Sequence, residues 1–211
     1  MATDVSPCVV MFALEREAAP FRRLTRDSPE VRILVSGVGG HRARISADVV
    51  IREFSPRLLI AAGFCGALIP TLRVGDIVTW PRIVTVDYLV SDPAEKRRLA
   101  ELHSADAVDM ESAAIAEVCT ERSIPFAVIR AVSDTSDTAL SPDLVKLLSG
   151  GNVSIWRACR ALVRKPSLLR EFLRLRRDTK LAALKLAEAL VKVIDSGPAA
   201  LRSEDSASRL T

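Results

Sequence analysis

Four short apolar runs, 8–14, 31–35, 58–62 and 126–132, rich in Val, Ile, Leu and Ala, constrain this chain more than any other feature. Each is too short for a buried helix and too continuous for a half-exposed strand, which leaves a strand covered on both faces. Segments of helical spacing lie between them. In 42–54, Ile45, Val49, Val50 and Phe54 share a face and Pro56 marks the end. The segment 92–102 has Asp92 placed to cap a helix with Pro93 at its first position. A further helix is expected over 111–122, entered from 108–110, and a further strand follows Pro70 up to Val78. Strand, helix and strand in alternation predict a three-layer αβα sandwich with a mixed central sheet, in which ligands bind outside the carboxyl ends of the strands.

The remainder is different in character. Helices are expected over 155–163 and 167–194, broken at Pro166, and a Ser-, Ala- and charge-rich tail over 196–211. Between positions 157 and 192 there are eleven Lys and Arg against three Asp and Glu, a net +8 in a chain whose total is +4. The expected organisation is therefore an α/β domain over 1–155, a basic amphipathic helical extension over 156–195 and a flexible tail. A solvated helix face explains such charge most simply. The apolar stripes Leu168, Leu169, Phe172, Leu173 and Leu181, Leu184, Leu186, Leu190 beside Arg174, Arg176, Arg177 and Lys180 also fit an interfacial helix at an anionic membrane over 167–194. On that reading, deletion from Ser167 onward leaves the chemistry intact. Nucleic acid is not expected as a partner, since no interleaved aromatics or helix-turn-helix pattern accompany the basic residues.

Composition narrows the chemistry. With 211 residues, 49% hydrophobic and 27% charged, the chain is long enough for one sizeable core. It has no run long enough to span a bilayer and no basic leader, so a cytoplasmic location is expected. Cys8, Cys65, Cys119 and Cys159 are far apart and read as buried thiols, and only His41 and His103 are present. Neither a metal nor a redox cofactor is expected.

Carboxylates recur where strands are expected to end: Glu17, Glu111, Asp134 and Asp137. A carboxylate at a cleft with buried neighbours is suited to acid–base work. The turn 36–40, Ser-Gly-Val-Gly-Gly, fails the dinucleotide fingerprint because Arg42 stands where its third glycine belongs, and it reads as a tight turn with backbone N–H groups free for an anion or a hydroxyl.

These residues carry a family resemblance. Val-Asp-Met-Glu-Ser-Ala-Ala-Ile-Ala at 108–116 and Pro-Phe-Ala-Val-Ile-Arg-Ala-Val-Ser-Asp at 125–134 resemble the nucleoside phosphorylase/nucleosidase superfamily. The stretches 13–17, 36–39 and 62–68 with 75–78 resemble its other motifs, in the same order, over roughly residues 8–140. The resemblance implies Met110 and Glu111 at the ribose, Asp134 as general acid at purine N7 with Ser133 orienting it, Glu17 as the residue that deprotonates an attacking water, and Gly39, Gly63 and Phe64 lining the substrate. Phosphorylases of this superfamily typically carry an Arg before the central Gly and a hydroxyl after it. This chain has Ala61-Ala62-Gly63-Phe64, so water is the expected nucleophile, with phosphorolysis through Arg42 or Arg44 as an alternative. The expected activity is hydrolysis of an adenosine derivative to adenine by a homodimer. The basic tail resembles hopanoid-associated nucleosidases, which implies a lipid-linked nucleoside. Only 32 residues separate Asp76 from Asp109, fewer than the family pattern. Base recognition is then rebuilt from Trp80, Tyr88 and their neighbours, or the chain is an inactive nucleoside-binding or membrane-associated member.

Overall fold

Strand β1 (Cys8–Phe12) is buried at all five positions because it is paired on both edges and covered on both faces. In the computed structural model, which describes residues 6–141 and 166–196 and the side chains of the last helix from Leu169, β1 runs parallel to β2 (Val31–Val35) and to β3 (Leu58–Ala67). Between them lie α1 (Glu15–Leu24) and α2 (Gly40–Phe54). After β3 come the short strands β4 (Ile77–Thr79) and β5 (Ile83–Thr85), then α3 (Pro93–His103), β6 (Ala107–Asp109), α4 (Ser112–Glu121), β7 (Phe126–Asp134) and α5 (Pro166–Ser196). The sheet has seven strands among the described residues and is mixed: β7 is parallel to β3, while β4 on β7 and β6 on β3 are antiparallel.

The ten residues of β3 organise the functional end. One edge pairs with β7 from Leu59 to Gly66. The other pairs with β1 only as far as Ala61, and β6 takes up that edge at Gly66 and Ala67. Between Ala62 and Cys65 this edge has no neighbouring strand, and the gap is a notch at the carboxyl end of β1. The strand continues through 63–66 despite its two glycines, because β7 supplies its hydrogen bonds on the other side and the small residues give room for side chains that cross it.

Each face of the sheet has its own core. On one, Ala43, Ala47, Val50 and Ile51 of α2 and Ile115, Val118 and Cys119 of α4 pack on Val9, Met11, Leu59, Ala61, Val128 and Val132. On the other, Ala18 and Phe21 of α1 join Ala182, Leu186, Ala187 and Leu190 of α5 over Val10, Phe12, Ile60, Ile129 and Ala131. The chain thus forms the αβα sandwich. The described part of the basic segment is not an appendage: α5 is one of the layers, and without it Ile60, Ile129 and Ala131 would face water. Its exposed leucines, among the described side chains, are Leu169, Leu173, Leu181 and Leu184, each more than 40% accessible. The expected helix over 155–163 and most of the tail lie outside the described residues.

Candidate active site

Arg130 is the centre of the site. It stands in the middle of β7 between apolar neighbours and is wholly buried, which is tolerable only with charged partners. Its Nη2 lies 2.6 Å from Asp109 Oδ2, its Nη1 3.6 Å from Glu111 Oε2, and its Nε donates to Ser112 Oγ at 3.1 Å. Asp109 is held further by Thr85 Oγ1 at 2.6 Å and by both the amide and the hydroxyl of Ser112. The end of β6, the start of α4 and the middle of β7 are thereby locked together. No buried side-chain polar atom lacks a hydrogen-bond partner among the described residues.

Glu17 reaches the same cluster from α1. The sequence places it at a strand end, but it lies in the first turn of the helix. Its Oε2 accepts from the amides of Ala13 (3.0 Å) and Leu14 (2.8 Å), and its Oε1 from the amide of Phe64 (3.1 Å). The last donor is available because Phe64 lies in the notch, where its N–H has no strand to bond. Burial pushes the Glu17 carboxyl above the usual range, opposed by the positive charge of Arg130 and by these amide donors. Glu111 is likewise raised by burial, opposed by Arg130 and by the amide of Gly39, which donates to Oε1 at 2.9 Å. Gly39, at φ 102°, turns that N–H inward in a conformation that favours glycine.

Asp134 ends β7. Ser133 Oγ sits 2.7 Å from its Oδ1 and 3.2 Å from the Cys65 carbonyl, and Lys96 Nζ lies 2.5 Å from its Oδ2. Asp134, Met110 and Asp109 line a cavity of about 50 Å³ with Gly66, Val108, Tyr88, Leu89 and Val90. Trp80 is not among its walls. The space holds a few waters, not a purine, so a base enters only if the exposed Tyr88 and Leu89 shift. A larger cavity of about 470 Å³ lies at the opposite end of the sheet, among Arg22, Arg23, Arg26 and Arg32. It is a shallow, solvated surface without an acid or base, so the smaller cavity is the candidate site.

The structure therefore gathers Glu17, Glu111, Gly39, Gly63 and Phe64 around Arg130, and places Asp134, with Ser133 against it, on a cavity that Met110 and Asp109 also line. Asp137 does not belong: it is exposed in the following loop, bonded to Thr135, with its carboxyl lowered by that hydrogen bond. Three residues that build the site escape the sequence reading: Arg130, Asp109 and Lys96. Cys8, Cys65 and Cys119 are buried free thiols, and no set of residues that would hold a metal ion occurs among the described residues.

Buried carboxylates around one arginine at the carboxyl ends of an α/β sheet define an enzyme site for a small polar substrate. The chain belongs to the phosphorylase superfamily, whose pattern matches residues 16–80 and 82–149. The relatives and solved structures it resembles include nucleosidases, N-glycosidases of that superfamily. A 5′-methylthioadenosine/S-adenosylhomocysteine nucleosidase of Anoxybacillus flavithermus is 28% identical over 165 residues, covering 52% of this chain and 70% of the relative. The enzyme of that name from Staphylococcus aureus strain MRSA252 is 26% identical over 185 residues, covering 64% and 81%. The fold is that of the Helicobacter pylori nucleosidase of the same name, with a TM-score of 0.70, 15% identity and coverage of 92% and 99%. A futalosine hydrolase mutant from the same organism gives 0.69, 15%, 92% and 100%.

Proposed function

We propose that this chain is a purine nucleosidase that cleaves the N-glycosidic bond of an adenosine derivative with water and releases adenine. The observation that carries the reading is Glu17: a buried carboxylate with a raised pKa, fixed through both oxygens by three backbone amides, has one task left open to it, which is to take a proton. Water deprotonated there attacks C1′ of the ribose. Glu111 keeps a lone pair on each oxygen beyond its bonds to Gly39 and Arg130, and these accept from the ribose hydroxyls. Glu17, Asp109 and Glu111 outweigh the single charge of Arg130, so the site favours the positive charge that develops on the sugar. Asp134 serves the departing base, across the cavity wall from Met110. The absence of an arginine and a hydroxyl flanking Gly63 supports water over phosphate.

The test is incubation with adenosine, 5′-methylthioadenosine and S-adenosylhomocysteine, with and without phosphate. Free adenine and free sugar at a phosphate-independent rate are expected. Ribose 1-phosphate as the main product overturns hydrolysis, and nucleoside binding without base release makes the chain a binding module.

A lipid-linked nucleoside is the finer reading. It is supported by α5, whose exposed Leu169 and Leu173 stand beside Arg170 and Arg174, and whose Glu171 accepts from the Ser141 amide at 2.7 Å in the chain that follows the functional end of β7. That contact ties an apolar, basic helix end to the segment leading out of β7. Co-sedimentation with anionic vesicles that is lost when Leu169 and Leu173 are changed to Ser is expected. Indifference to such vesicles at low salt removes this reading and leaves the soluble substrates.

A further inference from the structure

Lys96 is wholly buried, although its neighbours Arg97 and Arg98 on α3 are exposed. Only Lys96 and Leu99 of that helix point fully inward. A leucine or methionine would fill the position without the cost of desolvating an ammonium, and a buried ion pair often contributes no more to stability than an apolar pair of similar volume. Its presence calls for a reason beyond packing.

The surroundings of Lys96 supply one. Its Nζ donates to Asp134 Oδ2 at 2.5 Å, to the Thr135 carbonyl at 2.8 Å and to the Thr138 carbonyl at 3.4 Å, so each ammonium hydrogen has an acceptor. Asp134 Oδ2 accepts from Lys96, and its Oδ1 lies 2.7 Å from Ser133 Oγ, whose one hydrogen has that oxygen and the Cys65 carbonyl within reach. The ammonium of Lys96 therefore lies one hydrogen bond behind the carboxyl group that lines the cavity. An N–H of Lys96 is thus within one transfer of the Asp134 carboxyl at this wall of the cavity.

We propose that Lys96 is the proton reservoir for the leaving base and acts through Asp134; this rests on the nucleosidase reading above. As the C1′–N9 bond breaks, its electron pair goes to the purine. The Nζ–H bond of Lys96 breaks, the proton passes to Asp134 Oδ2, and Asp134 hands it to N7. Lys96 is left as a neutral amine and Asp134 as a carboxylate. The water that attacks C1′ gives its hydroxide to the sugar and its proton to Glu17, and solvent restores Glu17 and Lys96 once products leave. Nothing is oxidised or reduced. Lys96 does not touch the base and is a positioning residue in that sense, but one that supplies the proton.

The experiment compares wild type, K96M and K96R in the full chain on 5′-methylthioadenosine and on 4-nitrophenyl β-D-ribofuranoside, whose phenolate leaves without a proton. For K96M, kcat on the nucleoside is expected to fall by about 10²–10³ with KM changed less than about threefold, in line with the usual worth of acid catalysis. Its rate on the nitrophenyl riboside is expected to stay within about threefold of wild type. K96R keeps the charge but holds its proton at every working pH, so it is expected to remain impaired on the nucleoside. Thermal unfolding of each variant and its activity on the riboside show whether the site is still folded. Wild-type turnover of the nucleoside by K96M, recovery by K96R, or an equal loss on both substrates overturns the inference. A wild type that releases adenine from no nucleoside removes the functional reading and this one with it, an outcome distinct from an active wild type with an unaffected K96M.

Discussion

The guanidinium of Arg130 occupies the space that a β-carbon on Gly63 would need. The backbone there is near full extension, so the demand for glycine is steric. Arg130 cannot swing aside, because Asp109, Ser112 and Glu111 hold it at 2.6, 3.1 and 3.6 Å. Gly63→Ala is therefore expected to destabilise the protein by about 1–3 kcal/mol, the usual result of overpacking. It should also lower base release more than that loss explains, because the next residue, Phe64, carries the amide that fixes Glu17. Denaturant unfolding alongside initial rates checks both.

Removing the arginine acts on the same cluster from the other side. Arg130→Met leaves Asp109 and Glu111 buried without their counter-charge, and breaking a buried pair in this way costs about 3–5 kcal/mol. The double variant with Asp109→Asn is expected to recover part of that loss, since one of the stranded charges is gone. A double-mutant cycle in urea measures the recovery, and strictly additive losses would show that the pair does not couple.

How much of this cluster the sequence discloses depends on the kind of signal each residue leaves. Arg130 is legible in principle, since an arginine between Ile129 and Ala131 in an apolar run must have partners. Its partners are less so: Asp109 ends a three-residue strand too short to show a period, and α1 is hidden by Pro20, which opposes a helix, while the burial of Ala18 and Phe21 favours one. Asp92 caps α3 through the Ala94 amide at 3.0 Å, as its place before Pro93 predicts. Lys96, four residues on, reads like Glu95, Arg97 and Arg98 beside it, and only its tertiary contact with Asp134 sets it apart.

The raised carboxyls make the site respond to pH in a definite direction. Glu17 must be ionised to take a proton, and burial has moved its pKa above the ordinary 4.5. The acidic limb of kcat/KM is expected above pH 4.5 and should be absent from the residual activity of Glu17→Gln. The same shift enters stability with the opposite preference. A group whose folded pKa is raised contributes stability that is fully present below its unfolded pKa and is lost as pH rises through the folded value. Glu17→Gln cannot ionise, so its Tm relative to wild type should rise between pH 4 and pH 8. A difference in Tm that is flat over that range would mean that Glu17 ionises as freely in the folded protein as in the unfolded one.

The last helix gives the sharpest departure from what its composition suggests. A segment with net +8 and leucine stripes reads as a helical extension with a solvated or an interfacial face, and truncation before it should then spare the chemistry. In the structure Leu186 and Leu190 are fully buried over Ile60, Ile129 and Ala131, in one core with Ala182, Ala187 and the α1 residues Ala18 and Phe21. These are core residues, so Leu186→Ala and Leu190→Ala are each expected to cost about 2–5 kcal/mol. The exposed Leu181 and Leu184 should tolerate Ser within about 0.5 kcal/mol, as surface positions do. Truncation from Pro166 onward strips one layer from the sheet and is expected to yield protein without cooperative unfolding and without base release. Circular dichroism melts of the four point variants and the truncation separate the two views: a truncated chain that melts cooperatively and still cleaves a nucleoside would return α5 to the status of an appendage.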